Sequence, residues 1–114
     1  MTKKWAQLAK LANLAFDSEL AKLSELREAE ARLVEQRTKL DRLNVQALED
    51  FSKPHPAHWQ NGDFLWQAWV GKNARALGME QAKLRVLKEI HKPELLKAFG
   101  RKSVLEQLAK EQTR

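Results

Sequence analysis

Residues 52–63 read Ser52-Lys53-Pro54-His55-Pro56-Ala57-His58-Trp59-Gln60-Asn61-Gly62-Asp63 and separate two stretches that favour helix. Pro54 and Pro56 lack a backbone donor and push the residues before them out of the helical region. Asn61-Gly62-Asp63 is a turn signal, and Asp63 is placed to cap a helix that starts at Phe64. The sequence therefore predicts a central loop over 52–63.

The segments on either side, 1–51 and 64–114, have equal length, which is the pattern of an antiparallel hairpin. At 1.5 Å per residue, each arm would be up to about 75 Å long. We therefore predict an all-α fold: a long antiparallel two-helix coiled-coil hairpin that forms a single domain over 1–114. If facing residue numbers add to about 115, Phe16 faces Phe99 and Phe51 faces Phe64.

The first arm carries apolar residues at alternating spacings of three and four, over about six heptads. The seam runs through Ala9, Ala12, Phe16, Glu19, Leu23, Leu26, Glu30, Leu33, Arg37, Leu40, Asn44, Ala47 and Phe51. Its polar members interrupt it at intervals. A neighbouring row widens the apolar face and consists of Leu20, Val34, Leu43 and Leu48.

The second arm carries a similar stripe with more interruptions. It runs through Trp66, Trp69/Val70, Asn73, Ala76/Leu77, Glu80, Leu84, Leu87 and Ile90/His91. Gly71 and Gly78 allow either close approach of the first arm or bending, and each costs a helix about 1 kcal/mol relative to Ala. Pro93 is expected to end or kink the helix near Lys92. A folded-back bundle of three or four helices, broken at these residues, is the structural alternative.

Composition narrows the class of protein. The chain has 114 residues, 32% of them charged, and no Cys, which excludes disulfides, thiol nucleophiles and Cys-ligated zinc. The mean hydropathy is −0.62, and no run of about 18 apolar residues is long enough to span a membrane. Lys10 and Asn13 interrupt the apolar stretch near the N-terminus, so we expect no secretory signal and a cytoplasmic protein.

Residues that carry chemistry are sparse. His55 and His58 stand at H-x-x-H spacing in the loop, but zinc usually requires three or four ligands, so solvated histidines are the simpler interpretation. None of the four serines lies in a G-x-S-x-G elbow, and no Gly-rich phosphate loop exists. We therefore predict no catalytic residues, no metal and no cofactor, and a protein that is not an enzyme.

Positive charge is concentrated in one segment, residues 83–102. Its basic residues are Lys83, Arg85, Lys88, Lys92, Lys97, Arg101 and Lys102, against Glu89 and Glu94. Arg85, Lys88 and Lys92 share a helix face by their spacing. This face is either simply solvated, a footprint for an acidic protein partner, or a nucleic-acid surface.

Aromatic residues gather around the loop instead: Phe51, Trp59, Phe64, Trp66 and Trp69. They form either a hydrophobic plug that closes the hairpin or a hot spot for a partner, where Trp is over-represented. The candidate partner-binding residues are Trp59, Trp66, Trp69, Arg85, Lys88, Lys92, Lys97, Arg101 and Lys102.

The chain resembles the small stalk-type proteins of flagellar and type III secretion export, the FliJ/YscO family. The likeness lies in the hairpin, in Leu23-x-x-Leu26-Arg27-Glu28-Ala29-Glu30-Ala31-Arg32, and in Phe99-Gly-Arg101-Lys102-Ser-Val-Leu105-Glu-Gln-Leu108. The short chain and the three Trp near its loop depart from that family's pattern. The resemblance implies a coiled coil that contacts the export ATPase ring as a stalk and also touches the export gate or chaperones.

We therefore predict a protein-binding coiled-coil module, in its specific form a stalk or adaptor of an export ATPase. A basic module that binds nucleic acid and a homo-oligomeric helical bundle are the alternatives. A two-helix hairpin has little interior, so we expect a partner to bury its remaining apolar faces.

Overall fold

The computed structural model of the chain describes residues 2–53 and 62–112. They form two helices, α1 over Thr2–Phe51 and α2 over Gly62–Gln112, with no strand in the described ranges. The all-α helical hairpin is thus confirmed. Pro54, His55, Pro56, His58 and Trp59, on which the loop and metal interpretations depended, lie outside the described residues.

The helix ends on either side of the loop follow the local sequence. After Phe51, the backbone N–H of Ser52 donates to the carbonyl oxygens of Leu48 and Glu49 at 3.1 and 3.2 Å. At the start of α2, the Asp63 carboxylate accepts a hydrogen bond of 2.8 Å from the N–H of Phe64. The helix begins at Gly62, two residues earlier than expected, so Asp63 lies inside the first turn, where a negative charge favours the helix dipole.

The hairpin divides into two compact units. The first contains Met1–Glu28 and Arg85–Arg114 and is called the terminal unit; the second, Ala29–Leu84, is called the loop unit. Each unit pairs a segment of α1 with a segment of α2. The cross-helix contacts of both units join residues whose numbers add to between 110 and 118, close to the predicted 115.

The helix α2 continues without interruption through Pro93, so the expectation that it ends near Lys92 is wrong. The alternative of a folded-back bundle of three or four helices is also wrong, because the described residues form two helices. Proline removes one backbone hydrogen bond, at a cost of about 3 kcal/mol. His91 and Ala98, on either side of it, are both buried, and His91 contacts the backbone of Glu19 on α1. A kink at Pro93 stays a prediction.

The glycines of α2 do not mark a close helix approach. A Cβ added at Gly71 or Gly78 would meet no atom within 4 Å. The close-approach interpretation is therefore wrong, and bending is the one that remains.

The predicted seam of α1 is confirmed by burial. Every member except Arg37 is buried or half-buried, and Leu40, with 6% exposure, is the most buried apolar residue. The neighbouring row is exposed on the flank of the helix: Leu20, Val34, Leu43 and Leu48 are 41–56% exposed.

The seam of α2 is only partly as predicted. Trp66, Val70, Asn73, Leu77, Leu84 and His91 are buried or half-buried. Leu87 and Ile90 are exposed, while Gln81 and Lys88 are half-buried. The heptad spacing continues through polar residues here, so hydrophobicity alone placed part of the stripe on the wrong side of the helix.

Candidate protein-binding grooves

An aromatic contact joins the two helices in the terminal unit. The rings of Phe16 and Phe99 lie with centroids 5.6 Å apart at an interplanar angle of 54°, within the range that favours aromatic pairs. The Lys102 ammonium lies 4.7 Å from the centroid of the Phe16 ring, close enough for a cation–π interaction. Phe16 therefore binds α2 through both an apolar and a charged side chain.

A polar pair, Glu19 with His91, joins the helices in the same unit. The ring Nε2 of His91 lies 2.8 Å from the backbone carbonyl oxygen of Glu19, and Nδ1 lies 3.1 Å from its carboxylate. Because a carbonyl oxygen only accepts, Nε2 is the donor to it. The His91 side chain is 10% exposed, and Lys22 also contacts the Glu19 carboxylate at 3.2 Å. One residue of α1 thus holds both nitrogens of a nearly buried ring.

A groove of about 360 Å³ lies beside this pair and is called the basic groove. Its lining residues are Leu23, Arg27, Lys88, Glu89, His91, Lys92, Leu95 and Leu96. The leucines of both helices supply the apolar surface; Leu96 is 64% exposed. Three cations and one carboxylate surround it, so the groove combines apolar surface with a positive rim.

The basic residues predicted for partner binding separate into different surroundings. Lys88 and Lys92 line the basic groove, whereas Arg85 lies on another part of α2 beside Val86 and Ile90, which are 58% and 64% exposed. Spacing alone had placed Arg85 with Lys88 and Lys92.

The other three basic residues lie towards the end of α2. Lys97 lies 3.8 Å from Glu94, and Lys102 contacts Phe16 within the unit. Arg101 is exposed. The structure therefore gathers two of the six predicted cations into one groove.

In the loop unit, a second polar pair crosses between the helices. The indole Nε1–H of Trp66 donates to the Asn44 side-chain oxygen at 3.0 Å, and the Gln67 amide approaches the same oxygen at 3.4 Å. The Trp66 ring also stacks on Trp69, with centroids 5.1 Å apart and an interplanar angle of 28°. Trp66 is half-buried and is held by α1, as expected of a residue that stabilises the hairpin.

A second groove, of about 310 Å³, lies in the loop unit and is called the Trp groove. It is lined by Gln36, Lys39, Leu40, Leu43, Trp69, Asn73 and Leu77. Trp69 and Leu43 are 46% and 50% exposed, and its one lysine lies 3.5 Å from Glu35. This groove is apolar without the positive rim of the basic groove.

The prediction that Phe64 belongs to a hydrophobic plug is wrong, because this side chain is 71% exposed. Phe51 and Trp66 are half-buried, and Trp69 is exposed on one side. Trp59 lies outside the described residues. The aromatic cluster therefore divides into residues that hold the hairpin and residues that leave apolar surface uncovered.

Within residues 2–53 and 62–112, no group of three or more His, Asp or Glu side chains is placed to hold a metal ion. No helix in these ranges is both long and apolar enough to cross a membrane. The side chains that line the two grooves provide apolar contact and charge pairing.

Sequence reasoning missed Arg27 as a member of the positive rim. The predicted register contained the signal, because numbers that add to 115 place Arg27 opposite Lys88 and Leu23 opposite Lys92. Leu95 and Leu96 line the same groove, and Leu96 is mostly exposed.

No protein-family model matches the sequence, and neither a curated protein nor a solved structure matches it.

Proposed function

We propose that this chain is a non-enzymatic helical hairpin whose function is to bind another protein. The observation that carries the proposal is the imbalance of its apolar surface. Among the described residues, only Leu40 and Ala98 are buried hydrophobic residues, whereas 17 large hydrophobic side chains are exposed. Exposed apolar surface on this scale, interleaved with charge, is typical of a surface that a partner covers.

The polar pairs across the seam support the same proposal. Glu19 with His91 and Asn44 with Trp66 hold the helices together without a third element. The hairpin is thus a formed scaffold, and exposed apolar side chains outside its cross-helix contacts, such as Leu96 and Leu43, are available to a partner.

The specific form of the proposal is a stalk or adaptor of an export ATPase. It is supported by the hairpin fold and by the resemblance of the segments around Leu23 and Leu105 to the FliJ/YscO family. In that role the chain would bind the ATPase ring through its helix faces and would itself catalyse no reaction.

The test is isolation of the affinity-tagged chain from its native cells, followed by identification of proteins in stoichiometric amount. We expect a protein other than the chain itself, and the export ATPase if the specific form holds. Isolation of the chain as a self-assembly alone would contradict the proposal. Recovery of nucleic acid that is released as the salt concentration rises would favour the basic alternative instead.

A further inference from the structure

The basic groove differs from the Trp groove in its charge, and this difference identifies the chemistry of a partner. Arg27 and Lys92 are exposed at the rim, and Lys88 is half-buried beside them. Glu89 is the one carboxylate that lines the groove. A ligand that fits must therefore present negative charge around an apolar group.

The surroundings of the groove strengthen this charge preference. The terminal unit has 13 basic and 8 acidic residues, a net charge of +5, whereas the loop unit has 8 basic and 7 acidic residues, a net charge of +1. Positive charge on this scale attracts an acidic partner and repels a basic one.

The groove is also preformed in the chain without a partner. His91 lines it and is held by two contacts from Glu19, which fixes α2 against α1 beside Leu23. A preformed apolar site loses less conformational entropy on binding than a mobile one.

We propose, on the basis of the proposed protein-binding function, that the basic groove docks an acidic amphipathic helix of the partner. A leucine-like side chain of that helix packs on Leu23, Leu95 and Leu96. Carboxylates that flank it on the same helix face pair with Arg27 and Lys92. This is the helix-in-groove mode of recognition, in which apolar anchors give affinity and the flanking charges give specificity.

The test uses a labelled helical peptide of about 20 residues with Leu at the heptad a and d positions and Glu at e and g. A second peptide of the same length carries Lys at e and g. Fluorescence anisotropy measures the binding of each to the full chain. We expect the Glu peptide to bind and the Lys peptide to bind at least about tenfold more weakly. Equal binding of the two peptides, or no binding of the Glu peptide, would overturn the proposal.

Matched variants locate the site. Arg27→Glu with Lys92→Glu should weaken binding of the Glu peptide about tenfold or more. Arg42→Glu with Lys72→Glu changes the net charge equally at exposed residues of the loop unit and should leave the affinity within about twofold. An equal loss in both double variants would mean that net charge alone attracts the peptide, and the groove would be excluded.

Amide chemical shifts of the unsubstituted chain test the same site without relying on a variant. The peptide should shift the amides of Leu95 and Leu96 more than those of Leu43 and Trp69; the reverse pattern would place docking in the Trp groove and overturn the proposal. If the peptide fails to bind while the tagged chain still isolates a protein from native cells, this inference falls and the proposed function stands.

Discussion

The terminal unit and the loop unit use the same two helices but leave different surfaces uncovered. Each contains a polar pair across the seam, Glu19 with His91 in one and Asn44 with Trp66 in the other. Each also has a groove between α1 and α2. The terminal unit surrounds its groove with cations, whereas the loop unit surrounds its groove with Trp69 and leucine.

Different side chains hold the hairpin together and face a potential partner: the polar residues of the seam do the first, and the charged residues at the groove rims do the second. A polar residue in a seam pairs with one position on the other helix, and a shift in register would leave it without that contact. Glu19 and Asn44, which the sequence presents as interruptions, are thus the residues that fix the register. The charge at the groove rims has no such role, so it is free to select a partner.

Leu40→Ala should have the largest effect and should act on the loop unit. Leu40 is 6% exposed, and truncation of a buried leucine to alanine destabilises a protein by about 2–5 kcal/mol. Chemical denaturation measures the change in the free energy of unfolding. Amide hydrogen exchange should show the loss of protection first in residues 29–84. The control Leu43→Ala, at a half-exposed position, should cost less than about 1 kcal/mol. Equal losses from both variants would contradict the placement of Leu40 in the seam.

His91→Ala should affect the terminal unit next most strongly. It removes both contacts with Glu19 and leaves the carboxylate with Lys22 alone, at an expected cost of about 2 kcal/mol. Lys22→Ala, which removes the exposed partner instead, should cost less than about 0.5 kcal/mol. Thermal unfolding followed by circular dichroism measures both. If Lys22→Ala were the more damaging variant, the His91 contacts would not be what holds this unit.

Trp66→Phe tests the polar pair of the loop unit. It keeps an aromatic ring, although a smaller one, and removes the indole N–H that donates to Asn44. The lost hydrogen bond should cost about 1 kcal/mol. A double-mutant cycle with Asn44→Ala measures the coupling by denaturation. The expected coupling is of similar size, about 1 kcal/mol, while strict additivity of the two variants would show that the hydrogen bond contributes no stability.

Gly71→Ala and Gly78→Ala should stabilise the loop unit, and these are the smallest effects. Each Cβ enters open space, so the gain is the helix propensity, about 0.5–1 kcal/mol per site. Midpoints of thermal unfolding should rise for each variant and further for the pair. The reverse substitution Ala74→Gly is the control and should lower the midpoint; a fall with either Gly→Ala variant would indicate a close contact at that glycine.

The sequence predicted the fold well where the hydrophobic pattern and the loop agree. The sequence of residues 52–63 predicted that one helix ends at Phe51 and that another starts close to Gly62. The spacing of three and four predicted the α1 seam, and the register predicted that Phe16 faces Phe99. The heptad pattern was harder to read on α2, because Gln81 and Lys88 lie at half-buried seam positions that an apolar stripe does not mark.

The candidate site was predictable only in part, because it depends on both helices at once. Helix periodicity grouped Arg85 with Lys88 and Lys92, but the groove is completed by Arg27 and Leu23 from α1. Combining the basic face with the register would have found them. Trp66 is held by its hydrogen bond to Asn44, whereas Trp69 lines a groove. The amino-acid composition of the aromatic cluster does not distinguish these two roles.

Site-specific photo-cross-linking is the most direct test of whether the terminal unit docks a partner. A photoreactive amino acid replaces Leu96 in the basic groove or, separately, Trp69 in the Trp groove, and the chain is irradiated in its native cells. We expect the probe at position 96 to link the chain to a different protein, through an acidic helix of that protein. Cross-links to a second copy of the chain, or to a partner only from position 69, would contradict it.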